Sequence, residues 1–318
     1  MLTFLARRLA LALVTLVLLS VLVFSLGQIL PGDVGRNVLG GFASQESVDS
    51  FNRKHGLDRP AYVQYLDWAS HAVRGDFGTS YANDSSVNSI LARAMPKSAE
   101  LALFAFAIMI PLAFVGGLIA ALKAYRLPDR IISIGGLSLT VVPEFVSALV
   151  AIVVFGLVLG WLPVSARWPD GSNLLVQLKY LLLPALVLVG VLFGYVSRMV
   201  RAGTIEALDA DYTRTAYLKG LDLRTVLFKH VLRNALLPTI AVVATQTGYL
   251  LGGLVIVERA FNYPGMGQEI VSHAVLKDFP VVEAGAMVIG AIYLTATVVA
   301  DILYTLLNPR IRFGSAAE

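Results

Sequence analysis

The stretch RTAYLKGLDLRTVLFKHVLRNALLP, residues 214–238, carries Arg214, Lys219, Arg224, Lys229 and Arg233 with only Asp222 against them. Long apolar runs lie on both sides of it. Ile205, Leu208, Tyr212 and Ala216 recur at three- and four-residue steps, so they are expected to share one face of a single helix leading into the stretch. Glu206, Asp209 and Asp211 gather toward the start of that helix, where the macrodipole favours acids. Gly220 ends it as a C-terminal cap glycine would. Asp222 can cap a second helix over 223–233, with Val226, Leu227 and Val231 on one side. The result is a helix–turn–helix elbow, too short to fold alone. One reading is an amphipathic loop resting on anionic headgroups. The sharp glycine turn favours the other, a surface on which a partner docks.

Outward from the elbow, the composition is that of a membrane protein. The 318 residues are 57% hydrophobic and 14% charged, whereas soluble domains carry about 25% charged residues. With no cysteine, the chain has no disulfide framework, thiol nucleophile or thiolate metal site. A net charge of +4 is mild. It reads as loop charge facing anionic lipid, not as a nucleic-acid footprint.

A helix needs about 20 largely apolar residues to cross the hydrocarbon core. Six segments qualify: 9–30, 101–122, 131–160, 180–197, 235–257 and 284–307. The first has an apolar run longer than that of a signal peptide and ends at LPGD (30–33), without a small-residue cleavage site, so it is read as a retained span. Arg7 and Arg8, then Lys123, Arg126 and Arg130, then the basic residues from Arg198 to Arg233, then Arg310 and Arg312 all fall on one side. The opposite short loops carry only Arg167 and Lys179, and Arg259 and Lys277. The positive-inside rule puts both termini and the elbow in the cytoplasm. The fold class expected is all-α integral membrane. It has a long outer loop between helices 1 and 2 and the elbow between helices 4 and 5. Residues 1–98 form the first span with its outer loop, and 99–318 a five-helix core with the coupling loop at 198–235.

Within the spans, Pro111, Pro143 and Pro184 and the pairs Gly116–Gly117, Gly135–Gly136 and Gly252–Gly253 mark bends or close helix approach. Glu144 lies near the middle of the third span and Asp301 toward the cytoplasmic end of the sixth. Intramembrane carboxylates face the bundle interior or a wet cavity. Glu144 and Gln246 are accordingly assigned to the translocation path. A structural hydrogen-bonding role for Glu144 stands beside that assignment, and Asp301 is expected to pair with an arginine or a neighbouring helix. In the outer loop, Gly32, Gly75 and Gly78 are expected to set turns, and Tyr62, Tyr65 and Trp68 to form a small packed face. Gly265 and Gly267 flank Met266 in a turn begun by Pro264.

The chain lacks a P-loop, a nucleophile elbow and a metal-spaced cluster among His55, His71, His230 and His273, which argues against an enzyme.

The elbow resembles the cytoplasmic coupling motif of ABC-importer permeases, the EAA loop, whose pattern is Glu-Ala-Ala, three residues, then Gly. Here the run is Arg214, Thr215, Ala216, three residues, then Gly220. Arg214 stands where the general pattern has Glu, so a Glu-mediated contact does not carry over. The form 212–221, YTRTAYLKGL, followed by RNALLP at 233–238, is similar to the peptide/nickel branch of these permeases. So are LPGD (30–33), GLDRP (56–60), VQYLDW (63–68), RGDFGTS (74–80), FNYPGMG (261–267) and the ending ADILYTLLNPRIRFG, with Asn308 in place of the more usual Asp. In order and over nearly the whole chain, they resemble the branch's first permease subunit.

The resemblance implies one of two permease subunits in the cytoplasmic membrane of a prokaryote. Beneath them would lie two ATPase domains that bind ATP and Mg, and an extracytoplasmic solute-binding protein would deliver cargo. No cofactor is expected in this chain. The ATPase contact would fall on Asp211, Arg214, Thr215, Ala216, Lys219 and Gly220. Binding-protein docking or an outer lid would involve the long loop and Pro264, Gly265 and Gly267. Peptides are the leading cargo, with nickel chelates or other small solutes as the alternative. The residues leave open a stand-alone proton-coupled transporter using Glu144 and Asp301, and a non-transporting scaffold.

Overall fold

The computed structural model describes residues 2–29 and 33–307. Gly32, Arg310, Arg312 and the closing segment from Asn308 lie outside the described residues, as do the side chains of 233–238. The helices run α1 (Leu2–Ile29), α2 (Val34–Leu39), α3 (Gln45–Lys54), α4 (Ala61–Ala72), α5 (Val87–Leu122), α6 (Leu127–Val141) and α7 (Glu144–Ala151, continued by a π-helical Ile152–Val158). They continue with α8 (Leu174–Asp209), α9 (Asp211–Leu218), α10 (Leu223–Val226, continued by a π-helical Leu227–Val231), α11 (Leu232–Ala260), α12 (Met266–Val275) and α13 (Phe279–Leu307). Among the described residues there is no strand, only an isolated bridge between Thr79 and Ser86.

Four helices are long and apolar enough to cross a bilayer: Ala6–Ile29, Val87–Leu122, Leu174–Asp209 and Phe279–Val299. A fifth is reached if α6 and α7 count as one broken span. Within the span expected over 131–160, the bend that Pro143 offers is a full break: the pair bends by 106° at Val142–Pro143. Pro143 lacks an amide hydrogen and drives its predecessor out of the helical region. Val142 accordingly sits extended, with ψ 125°, and Glu144 becomes the first residue of a new helix instead of the middle of an old one. Pro111 and Pro184, by contrast, are carried inside α5 and α8 without ending them.

The chain divides into two compact units. One comprises Met1–Ala99 with Asn262–Leu294. Here α1 meets α4 through Phe24, whose ring lies 5.4 Å from Tyr65 and 6.4 Å from Trp68, while Ser20 Oγ and Tyr65 Oη are hydrogen-bonded at 2.9 Å. Tyr62 does not join this face and is exposed. At 100° per residue, positions 62 and 68 diverge by about 120° around the helix, so the three aromatics cannot all point inward. Gly75 and Gly78 make the expected turns, both with positive φ. Val87, Ile90, Leu91 and Ala94 pack with Met266, Val281 and Ala284 in a buried cluster. Tyr263 is fully buried and donates its hydroxyl to Lys97 O at 3.0 Å, and Ser98 Oγ accepts from Met266 N at 2.8 Å.

A second joint in this unit ties the segment around Ser80 to the loop after α12. The Asp278 carboxylate accepts from Ser80 Oγ, from Tyr81 N at 2.8 Å and from His273 Nδ1 at 2.7 Å. Glu269 lies 3.4 Å from the other ring nitrogen of His273. Hydrogen bonds to Asp278 and then to Glu269 raise the His273 pKa to about 9, so the ring is cationic at neutral pH. Burial pushes Asp278 up, but the His273, Ser80 and Tyr81 hydrogen bonds outweigh it and hold the carboxyl below its ordinary value.

The other unit comprises Glu100–Phe261 and Thr295–Glu318. Its centre is α8, buried along one side from Leu181 to Ala207. Close approach rests on glycines. A Cβ built on Gly194 would meet Gly136 O at 2.2 Å, and one built on Gly117 would meet Ser197 O at 2.5 Å. Their sequence neighbour Gly135 faces open space, so only one glycine of that pair is demanded by packing.

Candidate functional site

The elbow forms within the second unit. It is not entered by one continuous helix, contrary to the reading of 205–216 as a single face. Ala210 adopts an extended conformation (φ −72°, ψ 147°), closing α8 and opening α9. This break resets the register, so Tyr212 faces outward while Ala207, Thr213 and Ala216 face inward. The register is fixed by Thr213, whose hydroxyl donates back across the break to Ala207 O at 2.6 Å. Ala210 O accepts from the amides of Thr213 and Arg214.

At the far end of α9, Gly220 has φ +78°. Its amide donates to Tyr217 O and that of Leu221 to Ala216 O, which is the paired hydrogen bonding of a Schellman cap. Asp222 then caps α10, its carboxylate accepting from Thr225 N at 3.3 Å. Thr225, through its hydroxyl and its amide, holds this exposed carboxyl below its ordinary pKa.

The elbow's inner surface is covered by its own unit. Ala207, Ala216, Val226, Leu227 and Val231 form a buried cluster, with Leu118 and Leu208 against it. The outer surface is bare: Leu218 is 82% exposed and Phe228 64%, and Tyr212, Tyr217 and Leu221 are exposed as well. Among them stand Asp211, Arg214, Thr215, Lys219 and Gly220, all exposed, whereas Ala216 is buried. Thus five of the six residues expected to contact an ATPase lie on the exposed surface and the sixth, Ala216, is buried beneath it.

Glu144, at the start of α7, is half-buried. Gly253 of α11 faces it, and a Cβ there would lie 3.7 Å from Glu144 Cγ. Gln246 is buried two turns earlier on the same stripe of α11 as Gly253. Of the two residues expected along a translocation path, the structure places Glu144 at the α7–α11 contact and Gln246 buried on α11. Pro264 is half-buried, and Gly265 and Gly267 are buried where α12 begins. Asp301 is half-buried on α13.

Three features went unnoticed in the sequence. The first is a bidentate pair in which Arg201 Nε and Nη2 donate to the two oxygens of Asp129 at 2.6 and 2.7 Å. Tyr125 N and Ser133 Oγ also donate to that carboxylate, and the guanidinium lies 5.7 Å from the centre of the Tyr125 ring. In the sequence alone Arg201 counts only as topology charge. The second is the His273–Asp278–Ser80 joint. The third is Glu283, 6% exposed, in the first turns of α13. Starting the sixth span at residue 284 left this carboxylate just outside it; a start at Phe279 would have flagged it.

Comparison with known proteins agrees with the resemblance drawn from the motifs. Residues 113–313 match the model of the binding-protein-dependent transport system inner membrane component, and residues 1–102 match its N-terminal counterpart. A Brucella abortus (strain 2308) protein named as a peptide transport system permease is 35% identical over 311 residues, covering 96% of this chain and 98% of the relative. The glutathione transport system permease protein GsiC of Escherichia coli K12 is 34% identical over 319 residues, covering 98% of this chain and 100% of the relative.

Proposed function

This chain belongs to the binding-protein-dependent transport system inner membrane components, and from that premise we propose that it is one of two permease subunits of an ATP-driven importer of short peptides. As a component of such a transport system it is a multi-pass membrane protein and not itself a catalyst. The proposed topology has six spans, with the broken α6–α7 pair as the third and α11 as the fifth, and with both termini cytoplasmic.

The observation that carries the proposal is the two-faced elbow. Its inner side is packed on α8, so a push on its outer side reaches α8 instead of being lost in a flexible loop. The outer side presents exposed apolar residues ringed by Arg214, Lys219 and Arg224, the composition of a docking surface. An ATPase domain seated there would draw the elbow with it when ATP closes the ATPase dimer, and α8 and α11 would follow. Alternating access would pass along Glu144 and Gln246. A binding protein would deliver cargo to the opposite face. The nature of the cargo rests on the relatives, which are named for peptides and for glutathione.

The test is to purify the tagged chain from its native membrane in mild detergent and identify the co-purifying chains by mass spectrometry. Recovery of ATPase subunits and a second permease is expected, with ATPase recovery lost when Leu218 and Tyr217 are both changed to Asp. Reproducible recovery of the chain alone would overturn the reading.

A further inference from the structure

The unit built from Met1–Ala99 and Asn262–Leu294 carries a half-open cavity of about 480 Å³, within the usual size of small-molecule sites. Its wall is mixed. Phe24, Trp68, Phe77 and Phe279 supply aromatic surface, and four carboxylates, Asp33, Asp67, Asp76 and Glu283, face a single guanidinium, that of Arg59.

Three of those carboxylates are already committed. Asp33 accepts from Arg36 N and from Asn52 Nδ2. Asp67 pairs with Arg59 at 3.0 Å. Asp76 accepts from Gly78 N at 2.9 Å. Glu283 is different: it is more than nine-tenths buried and has no hydrogen-bond or ion-pair partner among the described residues. A buried carboxyl without a partner is costly to ionise, and a cation seated beside it removes that cost.

Water supplies no counter-charge to Glu283. A primary ammonium does, and aromatic walls favour it further because their ring faces attract cations. We propose that this cavity binds a small organic solute through its ammonium group, with Glu283 as the counter-charge and the rings of Phe24, Trp68, Phe77 and Phe279 as the wall around it. The amino end of a short peptide has this chemistry; that choice of solute rests on the importer reading above, whereas the ammonium site does not.

Trp68 provides the readout. The full chain carrying Trp161→Phe and Trp168→Phe, in lipid nanodiscs, retains Trp68 as its only tryptophan. Triglycine is expected to change its emission saturably, and n-butylamine to compete. N-acetyl-triglycine, which lacks the ammonium, is expected to bind at least about tenfold more weakly, as is triglycine to the isosteric Glu283→Gln variant. Equal binding of the acetylated peptide, undiminished binding by Glu283→Gln, or no saturable response to triglycine or n-butylamine in the millimolar range would each overturn the proposal. If the variant fails to fold, acetylation and competition on the protein with Glu283 intact decide the matter. The assay uses no ATP and no partner chain, so its failure is separable from failure of the importer reading.

Discussion

Replacing Gly220 gives a graded test of the elbow, because the structure isolates a single cost there. The residue stands at φ +78°, and a Cβ built on it would meet nothing within 4 Å. A side chain therefore brings no clash, only the left-handed conformational penalty, about 1–2 kcal/mol for an ordinary L-residue. One to two kcal/mol shifts a local equilibrium by about 5–30-fold. Gly220→Asn should lose least, since Asn tolerates this region. Gly220→Ala should shift the capped elbow by the full factor, and the β-branched Gly220→Val by more. Gly220→Pro cannot form the turn at all: it removes the amide that donates to Tyr217 O and holds φ near −65°. The cost is confined to the elbow, so membrane expression should be kept across the series. Uptake of labelled tripeptide by cells carrying each variant, set against ATP hydrolysis by the purified assembly, should fall in the order Gly, Asn, Ala, Val, Pro, with hydrolysis falling less than uptake. Normal uptake by both the Val and Pro variants would refute the claim that this turn transmits force.

The Asp129–Arg201 pair should be costly to break from one side. Asp129→Ala is expected to destabilise the detergent-purified protein by about 3–5 kcal/mol, and the double variant with Arg201→Ala by less than the sum of the two singles, read as a double-mutant cycle of unfolding. Arg201→Lys should rescue little, because the bidentate geometry is lost. Gly194→Ala should destabilise strongly, its Cβ meeting Gly136 O at 2.2 Å, whereas Gly190→Ala, with open space around it, should be neutral or mildly stabilising. Thermal melts of the two variants side by side check this. His273, whose pKa rises from 6.5 to about 9 on folding, contributes stability that is complete below pH 6.5 and lost as pH rises toward 9. Melting temperature should decline over that window in the unmodified protein, and the decline should flatten in His273→Gln.

Much of the local chemistry was legible in the sequence. The glycine that ends α9, the aspartate that starts α10 and the apolar runs of α1, α5, α8 and α13 depend on a residue and its near neighbours, so hydropathy, spacing and cap chemistry suffice to place them. The Pro143 break was visible as a proline, but whether a helix absorbs or yields to one depends on what surrounds it; α5 and α8 absorb theirs and the third span does not. Ala210 carries no breaking signal of its own, and the Thr213–Ala207 bond that accompanies the break forms only once the chain has turned.

What the tertiary structure alone decided are the pairings between distant parts of the chain. Asp129 and Arg201 are 72 residues apart, Ser80 and Asp278 198 apart. Whether a carboxylate is paired, as at Asp129 and Asp278, or left facing a cavity, as at Glu283, is set by which segment the chain brings back beside it. Local sequence carries the backbone's preferences, but the electrostatic fate of a buried charge belongs to its neighbours in space.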